Sequence, residues 1–248
     1  MILFTNGCSN TYGGGLEPHF VIDSKFDHNK RLESVWPHHL GKLLNADKVV
    51  NLAEGCGSNQ RIVRTTFDWF MNDFKKNQKA IAVIQLTDPA RYEYYLTNDF
   101  SDFENHDSQW TRLTPSAHVV NQLGLERLNL NYRELEPKIL KERDSRMLTY
   151  TLIEGMYKTI SHISALVHLF ERHNVEYHFF GRGFTIYDSW PIKYKQHMKD
   201  LNFIDTHREN WQFDKVSIKD THPSVLGHKQ IADLLYQRIR PKQIRESI

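Results

Sequence analysis

Cysteine is scarce in this chain, with only Cys8 and Cys56 among 248 residues. Two thiols cannot build a disulfide framework or a four-thiolate metal site. The fold must therefore be held by a buried core, which a chain of this length can supply. Charge of one sign is not in excess either. The 32 basic and 30 acidic residues are mixed along the chain and leave a formal net charge of +2, which argues against nucleic acid or an anionic membrane as partner. The basic tail from Arg238 to Arg245 reads as a solvated end. No apolar run approaches the roughly 20 residues needed to span a bilayer. Met1–Asn6 enters a strand-like segment without the regions of a signal peptide. The expectation is a cytoplasmic or otherwise soluble protein made in a reducing compartment. Repeats and low-complexity tracts are missing. The 14 histidines, His38 and His39 included, have no carboxylates at metal-ligand spacing, so no metal or cofactor is expected. Gly13-Gly14-Gly15 lacks the Gly-Lys-Ser/Thr of a phosphate loop.

What is present is an ordinary globular composition, 40% apolar and 25% charged, with alternating patterns. Short apolar runs at Ile2–Thr5, Lys48–Leu52, Ala80–Leu86 and Glu176–Phe180 read as strands, several of them stopped by glycine. Between them Val63, Phe67, Phe70 and Phe74 recur at helical spacing. Leu152, Met156, Ile160, Ile163, Val167 and Phe170 do the same, and Ile231, Leu234, Leu235 and Ile239 form a closing helix. Strand followed by helix, repeated, predicts an α/β fold: a doubly wound, flavodoxin-like parallel sheet with helices on both faces. The polar stretch at about 98–145 breaks the rhythm. It is expected to be an insertion into a single domain spanning 1–248, with a short helix near Glu134–Lys141.

In parallel sheets functional groups gather beyond the carboxyl ends of the strands. Ser9 follows the first strand in Gly7-Cys8-Ser9-Asn10-Thr11-Tyr12-Gly13, where backbone N–H groups face the same pocket; that suits a nucleophile beside an oxyanion site. A simple turn or helix cap would use the same residue type. The Gly-x-Ser-x-Gly elbow is not met, because Thr11 occupies its last place. Near the other end stands Asp220-Thr221-His222-Pro223. Pro223 biases His222 towards an extended backbone, in which Asp220 and His222 point to one side. A carboxylate on Nδ1 would fix the tautomer and leave Nε2 to take a serine proton. A surface loop leading into the last helix is the bland alternative.

Together these segments resemble the SGNH/GDSL hydrolases. Gly7-Cys8-Ser9 with Tyr12-Gly13 is similar to the first block of that family, with Cys8 where Asp is usual. Asn51-Leu52-Ala53-Glu54-Gly55-Cys56-Gly57-Ser58-Asn59 resembles the second block, and Asp220 and His222 with Gly227-His228 resemble the last. The resemblance implies a serine esterase with the triad Ser9, Asp220 and His222. It also implies an oxyanion hole from the N–H groups of Ser9 and of Cys56 or Gly57. The usual oxyanion glycine falls on Cys56, with Gly57 one place later, and the choice stays open. If these blocks flank one oxyanion hole, Cys8 and Cys56 come close in space.

The third block departs from the family. Its strand should end in a Gly-x-Asn-Asp-like turn whose Asn is a further oxyanion donor, but here it ends Gln85-Leu86-Thr87-Asp88-Pro89-Ala90-Arg91. Asn59 is the candidate replacement donor and Arg91 the candidate substrate-binding cation. The alternatives are that Asn59 caps a helix and that Arg91 pairs with Asp88 or Glu93. The Asp-to-His spacing is also one residue shorter than usual. Tyr92, Tyr94, Tyr95, Phe100 and Trp110 are candidates for a cleft wall or for core. The expected activity is hydrolysis of carboxylic esters, with O-acyl groups on carbohydrates, short-chain esters or lysophospholipids as substrates. The rivals are a binding module that has lost efficient catalysis and a flavodoxin-like small-molecule binder.

Overall fold

The computed structural model describes residues 1–16, 21–22, 25–95, 110–113, 118–119, 132–181, 192–201, 203–206 and 211–245. Its centre is a five-stranded sheet of β1 (Ile2–Asn6), β4 (Lys48–Asn51), β5 (Ala80–Leu86), β9 (Glu176–Gly181) and β10 (Phe203–Asp205). All neighbours are parallel, in the order β10-β9-β5-β1-β4. That is the doubly wound, flavodoxin-like order, with its switch point at β1. Two small antiparallel ladders lie outside it: β2 (Val21–Ile22) with β3 (Lys25–Phe26), and β6 (Tyr92–Tyr95) with β7 (Trp110–Leu113) and β8 (His118–Val119).

The helices are α1 (Ser9–Tyr12), α2 (His28–Ser34), α3 (Trp36–Leu43), α4 (Asn59–Asn72), α5 (Tyr132–Thr149), α6 (Leu152–Arg172), α7 (Ile192–Asp200) and α8 (Val225–Arg245). Most of the expected insertion falls outside the described residues. The helix expected near Glu134–Lys141 is the longer α5. Among the described residues no helix is long and apolar enough to cross a membrane.

Strand periodicity explains the two cores. Side chains alternate across a strand, so Ile2 and Phe4 face one side of the sheet and Leu3 the other; Ala82 and Ile84 are likewise divided from Ile81 and Val83. The first set packs under α4 and α6 through Ile62, Trp69, Phe70, Ile163, Leu166 and Phe170. The second packs under α3 and α8 through Trp36, Leu40, Ile231, Leu235 and Ile239. The buried stripe of α4 is rotated slightly from the expected one: Ile62 and Trp69 go deeper than Val63 and Phe67.

Local chemistry sets the helix starts. Asp27, Ser58 and Thr151 cap α2, α4 and α6 by accepting the N–H of Lys30, Arg61 and Glu154. Pro37 sits in the first turn of α3, where its missing N–H leaves no bond unmade.

Phe4 is fully buried, with its ring centroid 4.8 Å from that of Trp69 and 5.1 Å from that of Phe70. Phe4→Ala should lower unfolding free energy by about 3–5 kcal/mol in urea titrations. A loss below about 1 kcal/mol would contradict this packing.

Candidate active site

The first strand delivers Ser9 to the carboxyl edge of the sheet, beside the switch point. A set of buried polar side chains holds the one-turn helix α1 there. Asn6, at the end of β1, gives its amide hydrogens to Ile62 O, Thr65 Oγ1 and Thr66 Oγ1 on α4, at 2.9–3.2 Å, and accepts Gly7 N–H at 2.9 Å. Thr11 donates its hydroxyl to Gln85 Oε1 on β5, and Asn51 Nδ2 reaches Thr11 O at 3.3 Å from the end of β4. Arg31 donates to Tyr12 O and lies 3.7 Å over the Tyr12 ring. Three strands and the two helices α4 and α2 thus fix the segment that carries Ser9.

His222 Nε2 lies 2.9 Å from Ser9 Oγ, and His222 Nδ1 lies 2.6 Å from Asp220 Oδ1. Asp220 Oδ1 also accepts His222 N–H at 3.0 Å. The shorter Asp-to-His spacing therefore still brings carboxylate and ring together. The loop is a tight reversal: Val216 N–H donates to His222 O at 2.9 Å, Ser217 N–H to Asp220 O at 3.1 Å, and Lys215 bridges Pro223. His228, fully buried at the start of α8, accepts Trp36 N–H on Nδ1 at 3.1 Å and so ties this end of the chain to α3. With the side chains of His222 and Asp220 34% and 37% exposed, the group opens to solvent.

Gly13-Gly14-Gly15 has a role that sequence reasoning missed. A methyl group at Gly14 would stand 3.0 Å from Ser9 Cβ and 3.2 Å from His222 Nε2. At Gly15, which has φ of +81°, it would stand 2.6 Å from Asp220 Oδ2. The strap passes close to all three side chains, so a side chain at Gly14 or Gly15 would displace them, and at Gly15 it would also strain the backbone. Three consecutive glycines after a strand-end serine were the available signal.

The second block abuts the first. A methyl group at Gly57 would lie 3.1 Å from Gly7 O and 3.7 Å from Cys8 Cα. Cys8 and Cys56 are both free thiols, and Cys8, at 1% exposure, is too buried to serve as nucleophile. Cys56 has φ of +57°, the left-handed region that glycine enters without steric cost, and it occupies the place where the resemblance puts a glycine. Gly57 N–H is engaged with Glu54 O at 3.1 Å, whereas Ser9 N–H and Cys56 N–H have no hydrogen-bond acceptor among the described residues.

Asn59 is engaged elsewhere. Its Nδ2 donates to Thr87 O at 3.0 Å and its Oδ1 accepts Thr87 N–H at 2.9 Å, so the amide clamps the buried end of β5. It does not cap α4 either; Ser58 does. Arg91 pairs with neither expected carboxylate. Glu93 takes Arg64 at 2.9 and 3.2 Å, and Asp88 Oδ1 accepts Ala90 N–H at 2.9 Å. Arg91 lines a cavity with Asn59 and Tyr92, and its buried Nη1 has no hydrogen-bond partner among the described residues. The side chains of Tyr94, Tyr95, Phe100 and Trp110 lie outside the described residues. Among the described residues no three His, Cys, Asp or Glu side chains gather as a metal site.

Removing the Asn59 amide would strand a buried N–H and a buried C=O. Asn59→Ala should therefore cost about 1–3 kcal/mol for each stranded group, read by urea unfolding, and should speed hydrogen exchange at the Thr87 amide. Unchanged stability would contradict the clamp.

No curated protein matches the chain by sequence. Solved structures do match its fold. A carbohydrate esterase, described as having divergent catalytic and non-catalytic binding functions at its active site, is 14% identical, with a TM-score of 0.50 over 96% of this chain and 68% of that one. A putative lipolytic protein of the G-D-S-L family from Desulfitobacterium hafniense is 12% identical over 96% and 99% of the two chains, with a TM-score of 0.48. An acetylxylan esterase from Geobacillus stearothermophilus is 16% identical over 96% and 93%, with a TM-score of 0.41. The parallel α/β fold of this chain is shared with that carbohydrate esterase. At the level of sequence, a family of unknown function, DUF6071, matches residues 22–159, more than half of the chain, and the chain belongs to that family.

Proposed function

We propose that this protein is a serine hydrolase that cleaves carboxylic esters, with Ser9 as nucleophile, His222 as general base and acid, and Asp220 as the group that orients His222. The observation that carries the reading is the contact of 2.9 Å between Ser9 Oγ and His222 Nε2, with Asp220 on the other ring nitrogen. Supporting it are the position of Ser9 beside the switch point of an esterase-type fold and the strap of Gly14 and Gly15 around the three side chains.

The chemistry follows from the tautomer. Ionised Asp220 accepts a hydrogen bond from Nδ1–H, which keeps that proton on Nδ1 and leaves the Nε2 lone pair for the Ser9 hydroxyl proton. As Ser9 Oγ bonds to the acyl carbon, that proton passes to Nε2 and the carbonyl oxygen becomes an oxyanion. The N–H groups of Ser9 and Cys56 are the proposed donors to it, since Gly57 N–H is already engaged. Collapse expels the alcohol, which takes the proton from Nε2. Water, deprotonated by the same nitrogen, then releases the acid and restores Ser9. We assign these steps to one domain spanning 1–248 with an insertion at about 98–145. The substrate class we infer is an O-acylated carbohydrate or a similar small ester.

A second reading is a binding module with little turnover. It is favoured by Thr87-Asp88-Pro89, which has no Asn in place of the third oxyanion donor, and by the clamping of Asn59 to Thr87.

A fluorophosphonate probe should label Ser9 in the wild-type protein and not in Ser9→Ala, with the adduct located by peptide mass spectrometry. His222→Ala should lower kcat for 4-nitrophenyl acetate by about 10²–10⁴-fold. Equal, slow hydrolysis by wild type and Ser9→Ala, without labelling, would hand the site to the binding module.

A further inference from the structure

Beyond the end of β5 lies a cavity of 70 Å³ walled by α4, the start of β6, α5 and α6. Its polar lining is unusual in what it leaves undone. Arg91 Nη1, Tyr92 Oη, Thr159 Oγ1 and His162 Nδ1 are all buried and have no hydrogen-bond partner among the described residues. Thr159 is fully buried as a residue. Buried polar atoms are nearly always partnered, because an unmade bond costs free energy that burial does not return. Four such atoms around one cavity mark a place where the partner comes from outside the chain.

The charges define that partner. Of the cations on the cavity wall, Lys158 pairs with Glu154 and Arg146 with Glu142 at 2.9 Å. Arg91 alone has no carboxylate partner among the described residues, and the carboxylate of Glu93 is taken by Arg64 at 2.9 Å. Arg91, Tyr92 and Thr159 present donors. Burial pushes the Tyr92 hydroxyl up to about 12, with Glu142 adding to the rise, so it keeps its proton. Burial, reinforced by Lys158, lowers His162, so its ring favours the neutral form and the positive charge facing an anion is left to the guanidinium. The lining therefore offers one unpaired guanidinium and two hydroxyl donors to an acceptor-rich anion.

The position connects this cavity to the ester site. Asn59 is part of its wall, opens α4 shortly after Cys56, and holds the end of β5, the strand beside β1. The fourth wall comes from the end of α5, just past the insertion.

We propose that this cavity is a subsite for an anionic group of the substrate, a carboxylate or a phosphoryl group, bound by Arg91 with Tyr92 and Thr159. The role as a substrate subsite rests on the esterase reading, whereas anion binding itself does not. A natural ester would then be an acylated acidic sugar rather than a neutral one.

Calorimetry and thermal shift with glucuronate, glucose 6-phosphate and glucose test the anion directly, using wild type, Ser9→Ala and Arg91→Gln. At least one anion should bind wild type and Ser9→Ala alike and more tightly than glucose by about 10-fold or more. Arg91→Gln should lose that margin. Binding by glucuronate assigns a carboxylate; binding by glucose 6-phosphate alone assigns a phosphoryl group. If Arg91→Gln does not fold, Tyr92→Phe, which removes only a hydroxyl, should weaken the same anion by several-fold. In turnover, wild type should prefer an O-acetylated glucuronate to O-acetylated glucose in kcat/KM by about 10-fold, with the preference lost in Arg91→Gln. Equal affinity for the anions and glucose, or unchanged anion binding in both variants, overturns the subsite. Fluorophosphonate labelling of Ser9 with no anion preference would overturn this proposal and leave the esterase. Anion binding without labelling would keep the anion site and remove its role in ester cleavage.

Discussion

The geometry of the whole site depends on how α1 is held at the edge of the sheet. α1 is one turn long, too short to be stable alone, yet it must hold Ser9 within hydrogen-bond reach of a histidine more than two hundred residues away. Buried side-chain hydrogen bonds do this. Asn6 ties β1 to α4, Thr11 and Gln85 tie α1 to β5, and Asn51 ties it to β4. In the low dielectric of the interior such bonds are strong when made and costly when broken, so they specify one position for the turn. The sheet beneath is apolar on both faces and makes that edge rigid.

The opposite side of the site is built differently. His222 and Asp220 sit on a half-exposed loop whose shape comes from its own backbone bonds and from the anchoring of His228 to α3. The strap at Gly14 and Gly15 closes the gap between the two halves. Any side chain there would push against Ser9, His222 or Asp220. A serine on a rigid edge, a loop-borne histidine and a bare strap between them leave the group open to solvent with Ser9 Oγ 2.9 Å from His222 Nε2.

Much of this was legible in the sequence because it is local. Ala80–Leu86 is a strand by composition alone, and Asp220-Thr221-His222-Pro223 announces its geometry through residue spacing and the proline. The order of motifs along the chain matched a known constellation. Other features depend on contacts that spacing does not carry. The three-residue β10 is too short to show a period, and α2, His-Asn-Lys-Arg-Leu-Glu-Ser, carries one apolar residue and hides its register. Asn59 looked like an oxyanion donor because it follows the second block, but tertiary pairing with the Thr87 backbone claims its amide. The proposal of Cys56 rather than Gly57 as donor rests on a backbone angle and one N–H bond, neither visible in residue identities. Arg91 was singled out beside two carboxylates that the fold assigns elsewhere.

In the proposed cycle Ser9 carries the acyl group during turnover. Rapid acid quench of wild-type protein mixed with excess 4-nitrophenyl acetate, followed by peptide mass spectrometry, tests it most directly. An acetyl group is expected on the peptide at Ser9, formed in step with a burst of 4-nitrophenol and absent in His222→Ala at the same time point. Acetylation of Cys56 or of a surface lysine, with Ser9 unmodified during turnover, would contradict it.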